Sequence, residues 1–229
     1  MRFVYAILLP VVFFLSGCTS STDSTNTLQV PNKLSAFFYN GKRGTTYTFK
    51  TTEIDENNDT LYSHYSHIIN IDTNGGLFVG PHVGIAVARV EANKQEKGQD
   101  FYATDSTLCK LSYEQSDGPI LLQKPLINGT TFRLGGSYTF HPNIAAKIIS
   151  TNAPLTVPQG TYTTIQVARE FLDTVRNNGP YGLVTEKWSQ TWYYAVGKMC
   201  VKNITIIKAY NNQALTSQKI RIEELESIY

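Results

Sequence analysis

The chain has 229 residues and a formal net charge of +2, with 20 basic and 18 acidic side chains. So balanced a charge excludes the basic face that nucleic-acid binding needs and any acidic tail. Aromatic residues make up 12%, with Tyr and Phe far ahead of Trp; together with abundant Thr, Ile and Val they give a β-forming composition. The length suits one large or two small domains.

The first element is an address. Met1-Arg2 is followed by an uncharged run, Phe3 to Leu15. That run fits a signal-peptide core and is too short to span a bilayer. Leu15-Ser16-Gly17-Cys18 closes it. This tetrapeptide resembles the lipobox of bacterial lipoproteins. The resemblance implies cleavage of residues 1–17, a diacylglycerol on the Cys18 sulfur, and further acylation such as palmitate. Several acyl chains at ~0.8 kcal/mol per buried methylene anchor a protein stably where one does not. Thr19, rather than Asp, follows the cysteine. By the sorting rule of such lipoproteins it favours the outer membrane where the organism has one. The implied location is the cell envelope.

Residues 18–33 are dominated by Ser, Thr, Asn and Asp, cannot bury a core, and read as a tether. Fifteen flexible residues span about 20 Å.

The remainder reads as strands and turns. Leu34 to Tyr39 is apolar and β-prone, and Asn40-Gly41 turns the chain. Thr45 to Glu53 alternates polar and apolar as a half-buried strand does. Residues 55–59 are a polar turn, and Leu61 to Asp72 alternates again. Thr73 to Gly76 is a turn, followed by strand candidates at Leu77 to Val79 and Val83 to Val90. Glu91 to Gln99 reads as a charged loop. Phe101 to Tyr113 is one long strand or a pair turning at Asp105-Ser106. Residues 115–119 break the chain most strongly, giving halves at 34–118 and 119–229 that form one compact unit. The second half offers strands at Ile120 to Gln123, Ser137 to His141 and Ile144 to Ser150, then a strand, a turn and the next strand through Leu155 to Tyr162 that continues to Phe171, and strands at Leu183 to Val196 and Met199 to Tyr210. Lys219 to Ile228 is a last strand or holds a short helix at Glu223 to Ser227. The expected class is all-β, with curved antiparallel sheets as a sandwich or half-barrel.

The halves carry three local likenesses in one order. Gly44 to Phe49 matches Gly135 to Phe140, and Val87-Ala88-Arg89 matches Val167-Ala168-Arg169. Phe101-Tyr102 with Leu108-Cys109 matches Trp192-Tyr193 with Met199-Cys200. They suggest a duplication, although β proteins reuse such tripeptides freely. With Cys18 lipidated, Cys109 and Cys200 remain, and an oxidising envelope favours a disulfide between them. Such a bridge would close a loop of about ninety residues, worth up to ~4 kcal/mol.

Residues 122–132, Val157 to Tyr162 and Tyr194 to Lys202 follow the order "K-x-P-L-x-x-G-x-x-W", "V-P-x-G-T-F" and "Y-A-x-G-V-G-x-V-K". In that order the second half resembles the TapB-like secreted β-rich lipoproteins. The resemblance implies an all-β envelope protein and no known chemistry. Phe132 replaces the Trp, and Lys198 and Met199 replace Val and Gly, which puts the tight bend near Gly197 in question.

Catalytic patterns are missing. His64 and His67 lie on opposite faces of a strand and cannot readily share a metal. Asp55-x-Asn57-x-Asp59 opens like a calcium loop, but Thr60 stands where Gly is needed and Ser66 where Glu is needed. No nucleophile elbow, zinc-helix or phosphate-loop motif occurs. No cofactor or metal is expected. Trp188, Trp192 and Tyr194 share one strand face, with Tyr193 on the other, and are the candidate ligand-binding residues. The leading expectation is a non-enzymatic, membrane-anchored envelope lipoprotein that binds an apolar ligand or a partner protein. The alternatives are an envelope hydrolase with scattered catalytic residues and an accessory subunit of a surface assembly.

Overall fold

The computed structural model describes residues 31–72, 83–91, 97–111, 119–135, 144–176, 183–211 and 213–229. The signal run, Cys18 and most of the tether lie outside them, as do the strands expected at 77–79 and 137–141. The described part is all-β, with twelve strands in one antiparallel sheet. β1 is Thr46–Ile54, β2 Thr60–Asp72, β3 Val83–Glu91, β4 Lys97–Ala103, β5 Thr107–Leu111 and β6 Ile120–Gln123. β7 is Thr131–Arg133, β8 Ala145–Val157, β9 Gly160–Arg176, β10 Leu183–Ala195, β11 Met199–Asn211 and β12 Ala214–Ile228.

Two meanders meet at the centre of this sheet, which runs β6-β5-β4-β3-β2-β1-β12-β11-β10-β9-β8-β7. The edge strands β6 and β7 are consecutive in the chain. The Ile120 N–H donates to the Leu134 carbonyl at 2.5 Å, just past β7. The sheet therefore curls until its edges meet at that end, as a nearly closed barrel. Closure hides edges that would otherwise pair with other chains.

Alternation decides what faces inward. Tyr47 and Phe49 on β1, Ile85 and Val87 on β3, Phe101 on β4, Leu108 on β5, Leu122 on β6, Ile148 on β8, Ile165 and Val167 on β9 and Leu225 on β12 belong to one buried cluster. At about 25 cal/mol per Å² of apolar surface removed from water, this cluster is the main driving term for closure.

The segment expected as a first strand is a plug instead. Leu34–Phe37 forms a 3-10 turn, and Leu34 and Phe37 are fully buried. Its apolar residues come in the spacing of a tight turn and find no partner strand. The plug is tied to the β10–β11 turn: the Gly197 N–H donates to the Ala36 carbonyl at 2.8 Å, and the Asn40 N–H to the Gly197 carbonyl at 3.0 Å. The bend there is intact, with Gly197 at φ +70° and Met199 at φ +54°. The Lys124 ammonium donates to the Asn32 carbonyl, which pins the end of the expected tether against the body.

Other expectations differ in detail. The loop foreseen through Gln99 ends early, because Lys97 already pairs with Arg89 on β3. Ala145–Val157 forms one strand with two register shifts rather than two strands. Glu223 to Ser227 is strand throughout, paired with β1. The polar turn at 55–59 is closed by the Asp55 carboxylate, which accepts N–H bonds from Asn57 and Asp59, both at 2.9 Å. That geometry spends the carboxylate on the turn.

Cys109 and Cys200 are both free thiols, so the expected bridge is absent. They sit on β5 and β11, six strand steps apart in the sheet. Cys109 stands opposite Tyr102, and Cys200 opposite Tyr194. A disulfide requires Cα atoms within about 7 Å.

The internal likenesses fall on matching strands. Val87 to Arg89 is on β3 and Val167 to Arg169 on β9; Phe101 is on β4 and Trp192 on β10; Cys109 is on β5 and Cys200 on β11. Each pair lies six strands apart in the chain, and the sheet order makes such strands related by a half-turn about the barrel axis. Residues 136–140 of the remaining likeness lie outside the described residues.

Candidate functional site

The barrel is packed with apolar side chains at the plugged end and lined by polar ones beyond. A cavity of about 600 Å³ is bounded by Glu53, Arg89, Lys110, Trp188, Asn203 and Glu223, among others. Beneath it lies a second space of about 210 Å³, floored by Tyr39, Phe49, Phe101, Trp192, Tyr194 and Met199. Arg89, Gln99, Lys110, Asn203 and Glu223 line both. The two spaces thus form one cleft with a charged mouth and an aromatic floor. Its size falls in the range of about 300–1,000 Å³ typical of small-molecule sites.

Strand register builds the wall. On β10, Trp188, Gln190, Trp192 and Tyr194 are successive inward positions, facing Phe171, Arg169, Val167 and Ile165 of β9. On the other side they face Ile207, Thr205, Asn203 and Cys200 of β11. The register shift between Tyr193 and Tyr194 turns Cys200 inward. The expected grouping of Trp188, Trp192 and Tyr194 on one face therefore holds. Tyr193 faces outward, where its hydroxyl accepts from Gln166 at 3.4 Å. The three inward residues have different stations. Trp188 borders the mouth, where it stacks on Phe171 at 5.8 Å and its indole N–H donates to Glu186 at 3.0 Å. Trp192 borders the floor, and Tyr194 is buried at its base.

The cleft is not apolar throughout: its mouth is ionic. The Arg89 guanidinium bridges Glu223 at 2.5 Å and Glu91 at 3.2 Å, and also reaches the Ser66 hydroxyl at 3.4 Å. It spans from β3 to β12 because the positions between carry the small, fully buried Ser66 and Thr51. Burial alone would lower the Arg89 pKa, but the Glu223 carboxylate raises it above the usual arginine value. Lys219 lies 3.8 Å from Glu53.

Lys110 and Arg169, two of the cations in this region, have no carboxylate partner among the described residues. Lys110, opposite Phe101 on β4, makes no side-chain hydrogen bond or ion pair with the described residues, and burial, then the nearby Arg89 charge, lowers its pKa. Arg169 donates to the Gln190 side-chain oxygen at 2.6 Å and lies over the Phe171 and Trp192 rings at 5.0 and 5.3 Å. Burial lowers its pKa too. Asn203 presents a buried side-chain oxygen with no hydrogen-bond partner.

Sequence reasoning missed this polar ring. Arg89, Lys110, Asn203 and Glu223 lie on four strands spread over 135 positions, with no local motif. The signal available was their phase: each is a polar residue at an inward position, where alternation predicts an apolar one.

Among the described residues the cleft has no assembled nucleophile. Cys200, the thiol beside it, donates to the Lys202 carbonyl, and burial, then Glu223, pushes its pKa up to about 12. His64 stacks on Tyr62 and His67 meets Thr48, on opposite faces of β2. Among the described residues no cluster of His, Cys, Asp and Glu could hold a metal.

No family model matches the chain, and no curated protein matches it. Solved structures resemble it distantly. A Bacteroides fragilis protein described as exported, with a YmcC-like fold, aligns at 14% identity over 84% of this chain and 99% of its own, with a TM-score of 0.48. A Parabacteroides distasonis protein described as a lipoprotein aligns at 13% identity over 84% and 98%, with a TM-score of 0.47. A LolA superfamily protein of Nitrosomonas europaea aligns at 8% identity over 85% and 89%, with a TM-score of 0.23. At these identities and scores the likenesses set neither fold nor function for this chain.

Proposed function

We propose that this chain is a lipid-anchored receptor or carrier of the cell envelope that holds a small molecule inside its barrel. The observation that carries the reading is the continuous cleft, in which a charged mouth opens onto an aromatic floor. A protein that needed only a scaffold would fill this interior, because each empty methyl-sized void costs about 1 kcal/mol. Keeping four cations and three carboxylates on the cavity wall also costs desolvation that an apolar core avoids. The N-terminal lipobox supplies the anchor, and with Thr19 after the cysteine the outer membrane is the favoured home. Binding rather than hydrolysis is favoured by the carboxylates themselves: Glu91 and Glu223 are both engaged by Arg89.

The chain provides its own reporter, since it has two tryptophans and both border the cleft. The test titrates a small-molecule extract of bacterial envelopes into the full chain reconstituted in phosphatidylcholine vesicles, following tryptophan emission. A saturable change that is lost in Thr205→Phe, which projects a ring into the cavity, supports the reading. An unchanged response in that variant contradicts it.

A further inference from the structure

We infer that the cleft takes a small amphiphilic acid, its phosphate or carboxylate held at Lys110 and its ring or short alkyl group seated on the Trp192 floor. The inference rests on the reading of the cleft as a ligand site and goes further, to the class of ligand.

Pairing within the wall comes first. Glu223 and Glu91 share Arg89, and Glu53 lies beside Lys219. All three carboxylates around the mouth are thereby engaged. Two cations bordering the same cavity, Lys110 on β5 and Arg221 on β12, have no ion pair with the described residues. Lys110 borders both spaces, so its ammonium stands where mouth meets floor. It feels the Glu223 charge, but that carboxylate is already paired with Arg89, so an entering anion would find this ammonium without an ion pair of its own.

The second observation is Asn203, which borders the same two spaces from the opposite wall. Its buried side-chain oxygen has no partner. Buried polar atoms are satisfied in the great majority of cases. The open acceptor calls for a hydroxyl or N–H donor on the ligand, as the open ammonium calls for an anion.

The third observation is size. The floor encloses about 210 Å³. A cavity of about 150 Å³ accommodates benzene, so a six-membered ring or a short branched alkyl group fits. A long acyl chain does not. The floor residues Phe49, Phe101, Trp192 and Met199 suit such a group, and Trp192 already receives one cation, Arg169, on its face. Together these observations select an acid with one compact apolar end and a hydrogen-bond donor, and exclude a diacyl lipid with buried chains.

The test uses three soluble probes on the full chain in phosphatidylcholine vesicles, with protein-free vesicles as blank. Phenyl phosphate and phenylacetate carry the two candidate anions, and 2-phenylethanol is the neutral counterpart. Tryptophan emission is the readout. Both acids are expected to bind at least about tenfold tighter than the alcohol, charge-assisted hydrogen bonds being roughly twice as strong as neutral ones. Lys110→Met is expected to remove that advantage and leave the alcohol unaffected, while Lys110→Arg retains most of it. The stronger of the two acids identifies phosphate or carboxylate as the native anion. Equal affinity for acids and alcohol overturns the acid class while the ligand-site reading stands. An acid advantage that survives Lys110→Met also overturns it, by placing the anion elsewhere. A thermal melt of each variant, with Lys110→Gln as a second neutral replacement, separates lost binding from lost folding.

Discussion

Removing the Arg89 guanidinium should expose how the mouth of the barrel is held. Arg89 lies 2.5 Å from Glu223 and 3.2 Å from Glu91, and the Arg89 and Glu223 side chains are only 20% and 17% exposed. Two unit charges about 4 Å apart at an effective dielectric of about 20 attract by about 4 kcal/mol. Desolvation takes back much of this, so the net coupling should be about 1.5–3 kcal/mol. Arg89→Met does more than lose that coupling, because it leaves the Glu223 carboxylate without its ion-pair partner. Breaking a fully buried pair costs about 3–5 kcal/mol; with a fifth of the surface still in contact with water, about 3 kcal/mol is expected. For a domain of this size that lowers the melting temperature by roughly 6–12 °C. Glu223→Gln, which leaves Arg89 paired with Glu91, should cost about 1 kcal/mol. The assay is urea unfolding of both single variants and the double variant, read as a cycle. A coupling below about 0.5 kcal/mol would show the pair to be a surface ion pair in effect, and would refute the view that it clamps β3 to β12.

Other outcomes follow from the same structure. Lys110→Met should raise the stability of the ligand-free protein. Burial depresses the Lys110 pKa, so the folded state disfavours the charge; in the wild type, stability should be full above the unfolded value of 10.5 and fall as pH drops through the lowered folded value. The variant should lack that dependence in a pH series of thermal melts. Gly197→Ala should cost about 2–4 kcal/mol in urea unfolding. Its φ of +70° is worth about 1–2 kcal/mol against a side chain, and the added Cβ would lie 2.5 Å from the Asn40 amide nitrogen. Cys200 should resist iodoacetamide at pH 8 until the protein unfolds, because a thiol pushed up to about 12 is scarcely ionised there. Its contribution to stability should be complete below about pH 9 and lost as pH rises towards 12. The masses of oxidised and reduced protein should agree, since neither Cys109 nor Cys200 is bridged.

Strands were legible in the sequence wherever alternation was regular. Thr45 to Glu53, Leu61 to Asp72 and Met199 to Tyr210 each anticipate a strand to within a residue or so. That Trp188, Trp192 and Tyr194 share one face of β10 followed from period two; that this face points inward did not. Closure was not legible, because it depends on the meeting of Ile120 and Leu134 through a fourteen-residue excursion. The plug was misread because Leu34 to Tyr39 is as apolar as a strand, and only the lack of a pairing partner makes it a turn. The disulfide failed for a similar reason: cysteine count says nothing of position, and β5 and β11 lie on different walls of the barrel. The site itself was half visible. Its tryptophans advertised themselves by type, while Arg89, Lys110, Asn203 and Glu223 look like ordinary strand polar residues until the barrel brings them to one cavity.

The most direct test is native mass spectrometry of the full chain, released gently from the membrane of its host. One extra small-molecule mass per chain is expected, of a size to fit about 600 Å³, acidic, and absent from Thr205→Phe. Acyl chains covalently retained on Cys18 are expected with it. A wild-type chain that carries no such mass under conditions where its fold survives would contradict the claim that the barrel is a ligand receptor.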